Sequence, residues 1–156
     1  MIPFTYISLT TFLLYIITNN NFIGMISFNC AFGVFMGFNS AFFIDYNGYN
    51  KIIELSKEYH DVSYFQIYIM DFLGHTFPVI YMFFTIKDDI YISESAFISI
   101  NMHLLWSFLT CDGFNLNDVY FPDCTYKLCN NQWKKLWIFT IIGHLLPGLY
   151  LSYKYS

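Results

Sequence analysis

The chain has 156 residues, of which 56% are hydrophobic and 12% are charged, about half the charged fraction of an ordinary soluble domain. Its seven basic residues are all scattered lysines and its formal net charge is −4, which argues against a nucleic-acid partner. Several apolar runs approach the roughly 20 residues that a helix needs to cross a bilayer, so we expect one all-α integral membrane domain over residues 1–156.

Five apolar runs, taken in chain order, predict a bundle of about five transmembrane helices surrounded by lipid. These runs are Ile2–Thr18, Phe22–Ile44, Tyr64–Ile86, Ser95–Thr110 and Leu136–Ser152. Between the second and third runs, Lys51–His60 carries apolar residues at helical spacing, which indicates a short interfacial or solvated helix. A multi-pass protein of this kind would place five lysines on one side of the membrane and two on the other, which favours a cytoplasmic N-terminus.

Three of the four histidines lie near the middle of predicted membrane helices, and midpoints match in depth whichever way a helix runs. The three are His75, His103 and His144. Each has a polar residue one helical turn earlier on the same face, namely Asp71, Ser99 and Thr140. The sequence therefore predicts a polar cluster at one level inside the bundle.

Asp71 is the most unusual member of this cluster, because an ionisable carboxyl group in hydrocarbon is costly and normally faces a bundle interior or a watery cavity. One turn from His75, it is well placed to fix the tautomer of the imidazole. The alternative is that the histidines are polar packing contacts between helices, and that serine and threonine bond their own backbone. Imidazole is also a common ligand, so the three histidines are candidate metal or haem ligands.

Small residues form a stripe along the second run, at Gly33, Gly37 and Ala41. Such a stripe lets another helix approach closely. Packing within the chain and a seam between two copies in a homo-oligomer are both compatible with it.

The segment before the fifth helix holds three of the four cysteines, Cys111, Cys124 and Cys129, and is long enough to form a lid. No nearby CxxC pair accompanies Cys124 and Cys129, which argues against zinc. A disulfide between those two and a pair of free thiols remain alternatives.

The chain contains Leu9-Thr10-Thr11-Phe12 near its start, Gly74-His75-Thr76-Phe77-Pro78, and later Trp106 and Val119-Tyr120-Phe121-Pro122. These short motifs resemble those of the androgen-induced membrane hydrolases, a family with six helices. Gly74-His75-Thr76-Phe77-Pro78 is similar to a histidine followed by threonine and proline in that family. Trp106 and then Val119-Tyr120-Phe121-Pro122 are similar to its tryptophans and its Tyr-Pro ahead of the next helix. Leu9-Thr10-Thr11-Phe12 is similar to the Leu-Thr-Phe that carries its threonine nucleophile.

The resemblance implies Thr11 as a nucleophile and His75 as its base, cleaving lipid esters inside the membrane, a reaction that requires no cofactor. Asp71 would then orient His75. Two other functions remain open from the residues themselves. One is a haem or metal site built by the three membrane histidines, and the other is a non-enzymatic assembly component or a path for protons or ions.

Overall fold

The computed structural model describes residues 4–44, 46–86, 92–110 and 130–155, and this part of the chain is helical with short connections and no strand. The all-α prediction is confirmed. The helices are α1 (Phe4–Thr18), α2 (Asn21–Ile44), α3 (Tyr46–His60), α4 (Tyr64–Asp71), a π-helical turn (Phe72–Thr76), α5 (Phe77–Thr85), α6 (Ile92–Thr110) and α7 (Asn130–Tyr155). The helix predicted at Lys51 begins five residues earlier, and the last helix begins before Leu136. Cys111, Cys124 and Cys129, with the proposed lid and disulfide, lie outside the described residues.

Three helical stretches are long and apolar enough to cross a membrane: Asn21–Asn39, Tyr64–Thr85 and Lys134–Lys154. The middle stretch joins α4, the π turn and α5 into one rod. With 15 residues, α1 is apolar but shorter than a full span. Length and apolarity therefore support three of the five predicted spans, and α1 and α6 complete the helical bundle.

Within the described residues, the bundle has an apolar exterior, and its interior combines a hydrophobic core with several buried polar side chains. Buried polar side chains are Ser8, Ser27, Asn29, Ser95, Ser99, His103, Thr140 and His144. Large apolar side chains on the exterior include Ile17, Phe65, Phe84, Phe97, Phe108, Leu109 and Leu149. Apolar surface of this extent is stable against lipid and not against water. The protein thus has the architecture of a membrane protein.

A two-residue turn joins α1 to α2, and asparagines form both of its caps. Asn19 adopts a left-handed backbone with φ 50°, and its N–H donates to the Tyr15 carbonyl at 2.7 Å, which ends α1. The Asn20 side-chain oxygen accepts a hydrogen bond from the Ile23 N–H at 3.2 Å, which starts α2. These caps make α1 and α2 a tight antiparallel hairpin.

The start of α1 lies halfway along its neighbour. Thr5 is beside His75, which occupies the middle of the Tyr64–Thr85 rod, and Phe12 packs against Tyr81 with ring centroids 5.4 Å apart. Since α1 runs parallel to α5, it covers only one half of the rod's length. The first turn of α1 is therefore inside the bundle, at the level of the predicted histidine cluster.

The closest helix packing joins α2 and α7. A Cβ atom added at Gly33 would lie 2.7 Å from His144 Nε2, and one added at Gly143 would lie 2.7 Å from the Phe32 carbonyl oxygen. At Gly37, an added Cβ would meet the Thr140 hydroxyl. Gly33 and Gly37 are thus used for packing within the chain. The third residue of the stripe, Ala41, has a side chain outside the described residues, and a homo-oligomer through this stripe stays a prediction.

Candidate functional site at the first turn of α1

The π-helical turn carries His75. The Phe77 N–H donates to the Phe72 carbonyl, five residues back instead of four. Pro78 explains this change, because proline lacks an N–H and its ring clashes with the carbonyl four residues earlier, that of Gly74. Single π turns within α-helices are frequent at functional sites. The wider π turn determines the direction in which the His75 side chain projects from the helix.

Asp71, His75 and Thr5 form a hydrogen-bonded series. Asp71 Oδ1 is 2.6 Å from His75 Nδ1, and His75 Nε2 is 3.3 Å from Thr5 Oγ1. When Asp71 is ionised, its carboxylate only accepts hydrogen bonds, and the matching tautomer of His75 has the proton on Nδ1 and an acceptor at Nε2. The Thr5 hydroxyl then donates to Nε2. This is the order of groups in a nucleophile, base and acid triad.

The walls of this site are apolar and one side is open. Phe38 of α2 stacks on the His75 ring with centroids 4.7 Å apart. The side chains of His75 and Asp71 remain 17% and 16% exposed. Phe72 and Leu73, on the same turn, are exposed on the apolar exterior. The site can therefore be reached from the lipid-facing side of the bundle.

Thr11, the threonine singled out by the motif resemblance, is not at this site. Its hydroxyl donates to the Ser8 carbonyl at 2.8 Å, a bond within its own helix. Thr11 follows Thr5 by six residues, which is about 9 Å along a helix. The structure brings Asp71 and His75 together as predicted, and it brings Thr5 to them instead of Thr11.

The backbone at the start of α1 adds a second chemical feature. The first four N–H groups of a helix have no partner within the helix, and they carry the positive end of its dipole. Thr5 is the second residue of α1, so its hydroxyl lies among these amides. Thr5 therefore lies in the first described turn of α1, near backbone amides of the kind that interact favourably with negative charge.

His103 and His144 lie on the other side of the same turn. Their ring centroids are 5.3 Å apart, and Phe4 contacts both, at 4.4 Å from His103 and 5.8 Å from His144. Phe4 and Thr5 are adjacent, so the first turn of α1 lies between this pair and His75. The three membrane histidines surround one turn, but they do not converge on one point.

The polar residues predicted beside this pair bond elsewhere. Ser99 donates to the Ala96 carbonyl at 3.0 Å, and Thr140 donates to the Leu136 carbonyl at 2.9 Å. Within the described part of the chain, no group of three or more His, Cys, Asp or Glu side chains is arranged to hold a metal ion. His75, His103 and His144 are therefore not brought together as one set of metal ligands.

Comparison with protein families, with curated proteins and with solved structures finds no match. The resemblance to the androgen-induced membrane hydrolases rests on the short motifs alone, and Val119-Tyr120-Phe121-Pro122 lies outside the described residues. The chemistry of the site rests on its own geometry.

Proposed function

We propose that this protein is a multi-pass membrane hydrolase of lipid esters, with Thr5 as nucleophile, His75 as general base and Asp71 as the group that orients His75. The observation that carries the proposal is the continuous series from Thr5 Oγ1 through both nitrogens of His75 to Asp71 Oδ1. This order of groups is the one that general-base catalysis uses, with the carboxylate on one nitrogen and the hydroxyl on the other.

The reaction follows from the hydrogen bonds. Thr5 Oγ attacks the ester carbonyl carbon while its proton passes to His75 Nε2. His75 then gives that proton to the departing alcohol as the ester C–O bond breaks, leaving the acyl group on Thr5. Water attacks this acyl-threonine and loses a proton to His75, and His75 returns that proton to Thr5 Oγ as the acyl C–O bond breaks and the fatty acid leaves. Asp71 holds the imidazole in the required tautomer throughout and stabilises its protonated form.

The amides at the start of α1 supply the electrostatic part of catalysis. Attack on an ester carbonyl places negative charge on its oxygen, and backbone N–H groups aimed at that oxygen stabilise the transition state. Thr5 lies in the first turn of α1, so the nucleophile and these donors belong to one rigid element. In this proposal the first described turn of α1 supplies both the nucleophile and the donors that stabilise the oxyanion.

The apolar surroundings of the triad favour a lipid as substrate. Phe38 covers one face of His75, and Phe72 and Leu73 of the same turn are exposed on the apolar exterior. A lipid can enter from the bilayer with its acyl chain against these side chains, and this move costs little because the chain passes from one apolar environment to another. A small water-soluble ester gains little from the same walls.

The direct test is hydrolysis of a glycerolipid ester by the purified protein in phospholipid vesicles, measured as released fatty acid. We expect Thr5→Ala to abolish release and Thr5→Ser to retain part of it. Thr11→Ala is the matched control, since it removes a hydroxyl from the same helix, and it should release fatty acid as the wild type does. Far-UV circular dichroism and gel filtration of each variant separate loss of chemistry from loss of fold.

Two results would overturn the proposal. One is full activity in a folded Thr5→Ala variant together with loss of activity in Thr11→Ala, which would make Thr11 the nucleophile. The other is no hydrolysis by the wild type for esters of any chain length, which would leave the triad as helix packing in a non-enzymatic membrane protein.

A further inference from the structure

The triad lies at the middle of the membrane-spanning rod, far from both of its ends. His75 follows Tyr64 by 11 residues and precedes Thr85 by 10. At a rise of about 1.5 Å per residue, it is about 16 Å from one end of the rod and about 15 Å from the other. The hydrocarbon core of a bilayer is about 30 Å thick. A rod that crosses this core therefore holds His75 close to the bilayer centre.

A second helix gives the same depth independently. His144 lies in the stretch Lys134–Lys154, ten residues from each of its ends. A lysine occupies both ends, where its ammonium group reaches the headgroups, so His144 is about 15 Å from either surface. Phe4 contacts His144 with ring centroids 5.8 Å apart, and Thr5 is the next residue of the chain. The proposed nucleophile is thus at the same central level as its base.

No lysine accompanies the triad in the part of the chain that the structure describes. The side chains of Asp71 and His75 make their polar contacts with each other and with Thr5. The seven basic residues of the chain are all lysines, and one of them, Lys57, lies over the Tyr64 ring at the start of the rod, with Nζ 4.4 Å from the ring centre. At the level of the triad, the Asp71 carboxylate would repel the phosphate of a headgroup.

The position of an ester group within its own lipid therefore determines whether the triad can reach it. In a phospholipid the esters lie next to a charged headgroup, and bringing them to the bilayer centre carries that charge into hydrocarbon, which is costly. An ester without a charged headgroup dissolves in the hydrocarbon and reaches the centre without this cost. We propose that the site selects uncharged lipid esters, such as triacylglycerols and wax esters, and that phospholipids are poor substrates. This inference rests on the proposed hydrolase.

The test is a competition between lipids within one vesicle. The purified wild-type protein is placed in phosphatidylcholine vesicles that contain a small fraction of triacylglycerol or of wax ester, and the acyl chains of each lipid carry a different isotope label. Mass spectrometry measures the fatty acid released from each lipid. We expect both uncharged esters to be cleaved, and phosphatidylcholine to be cleaved about 100-fold more slowly per molecule because of the cost of its charges at the bilayer centre.

Lys57→Gln is the control for headgroup binding at the membrane surface. It removes the cation that lies over Tyr64 and leaves the centre of the rod unchanged. We expect this variant to keep the wild-type preference for uncharged esters. A preference that disappears in Lys57→Gln would mean that the membrane surface, and not the depth of the triad, selects the lipid, and would overturn the proposal.

Photo-crosslinking gives a second readout that does not require cleavage. Ether analogues of triacylglycerol and of phosphatidylcholine, each with a diazirine beside the ether oxygen, are added to vesicles that contain the wild-type protein. We expect the uncharged analogue to label the π turn, Phe72–Thr76, and the phosphatidylcholine analogue to leave this turn unlabelled.

The two readouts separate failure of this inference from failure of the hydrolase. Cleavage of phosphatidylcholine at a rate comparable to that of the uncharged esters would overturn the inference and leave the hydrolase standing. Equal labelling of the π turn by both analogues would also overturn it. No cleavage of any ester, with the turn labelled by the uncharged analogue alone, would overturn the hydrolase while supporting the selection of uncharged lipids at this site.

Discussion

Among single residues, Asp71 makes the contact that separates a catalytic from a packing role for His75. Its carboxylate accepts from Nδ1 at 2.6 Å, which leaves Nε2 free to accept the Thr5 proton. An asparagine at this position can donate to Nδ1 through its amide and so favour the wrong tautomer. We expect Asp71→Asn to lower the catalytic rate as much as an incorrect histidine tautomer does in a catalytic triad. The loss of a packing contact alone would have a much smaller effect on the rate.

We therefore predict that Asp71→Asn lowers kcat for lipid hydrolysis by about 10,000-fold with little change in KM. Steady-state kinetics in vesicles measure both constants. The control is Asp61→Asn, an exposed aspartate with φ 49°, because asparagine also tolerates that backbone. A rate for Asp71→Asn within tenfold of the wild type would mean that the carboxylate is not part of the catalytic machinery.

At the scale of helices, two features were readable from sequence and two were not. The lengths of the apolar runs predicted the apolar helices, and the spacing of four residues predicted the contact between Asp71 and His75. The π turn left one clue, Pro78 just after the histidine, but proline also occurs in membrane helices without such a turn. The sequence does not indicate that Thr5 contacts His75, because the level of α1 in the bundle depends on how α1 packs against α5. In addition, α1 contains four threonines that the sequence alone does not distinguish.

The α1–α2 turn gives a prediction about helix capping. Asn20→Ala removes the acceptor for the Ile23 N–H and should destabilise the hairpin by about 1 kcal/mol. Unfolding of the purified protein by increasing fractions of denaturing detergent measures the change. Asn19→Gly is the matched control at the neighbouring position, since glycine adopts the left-handed backbone at no steric cost and should leave stability nearly unchanged.

The contact between α2 and α7 gives a second prediction at this scale. Gly143→Ala places a Cβ against the Phe32 carbonyl and the Gly33 Cα atom, and both are backbone atoms that move only with their helix. Overpacking of this kind costs about 1–3 kcal/mol. Gly74→Ala is the control, because its added Cβ has only the Thr5 methyl group nearby, at 3.8 Å. Equal unfolding curves for the two variants would contradict close α2–α7 packing.

For the whole molecule, the solvent that surrounds it, water or lipid, determines which exposed positions tolerate a charged side chain. Leu105 is 59% exposed within α6, and Tyr153 is 84% exposed near the end of α7. In water an aspartate would be harmless at both positions. If α6 crosses the bilayer, as its sequence predicts, Leu105→Asp places a carboxylate in hydrocarbon at a cost of about 2.5–3.5 kcal/mol, whereas Tyr153→Asp lies near the interface. We predict that only Leu105→Asp lowers the fraction of protein retained in membranes after alkaline washing.

The molecule as a whole also explains why the three histidines lie in two separate groups. Their common depth follows from their positions near the middles of three helices, which the sequence predicts. Whether the three histidines converge depends on what lies between them. The first turn of α1 lies there, with Thr5 next to His75 and Phe4 next to His103 and His144. No pattern in the sequence reveals that a half-length helix begins there.

The most direct measurement of the central claim is the location of the adduct formed when the wild-type protein in vesicles reacts with a long-chain fluorophosphonate. This reagent forms a stable phosphonate ester with an activated hydroxyl group, and mass spectrometry of peptides from the labelled protein identifies the residue. The account predicts a single adduct on Thr5 that is absent from His75→Ala. An adduct on Thr11, or equal labelling of Thr5 when His75 is absent, would contradict it.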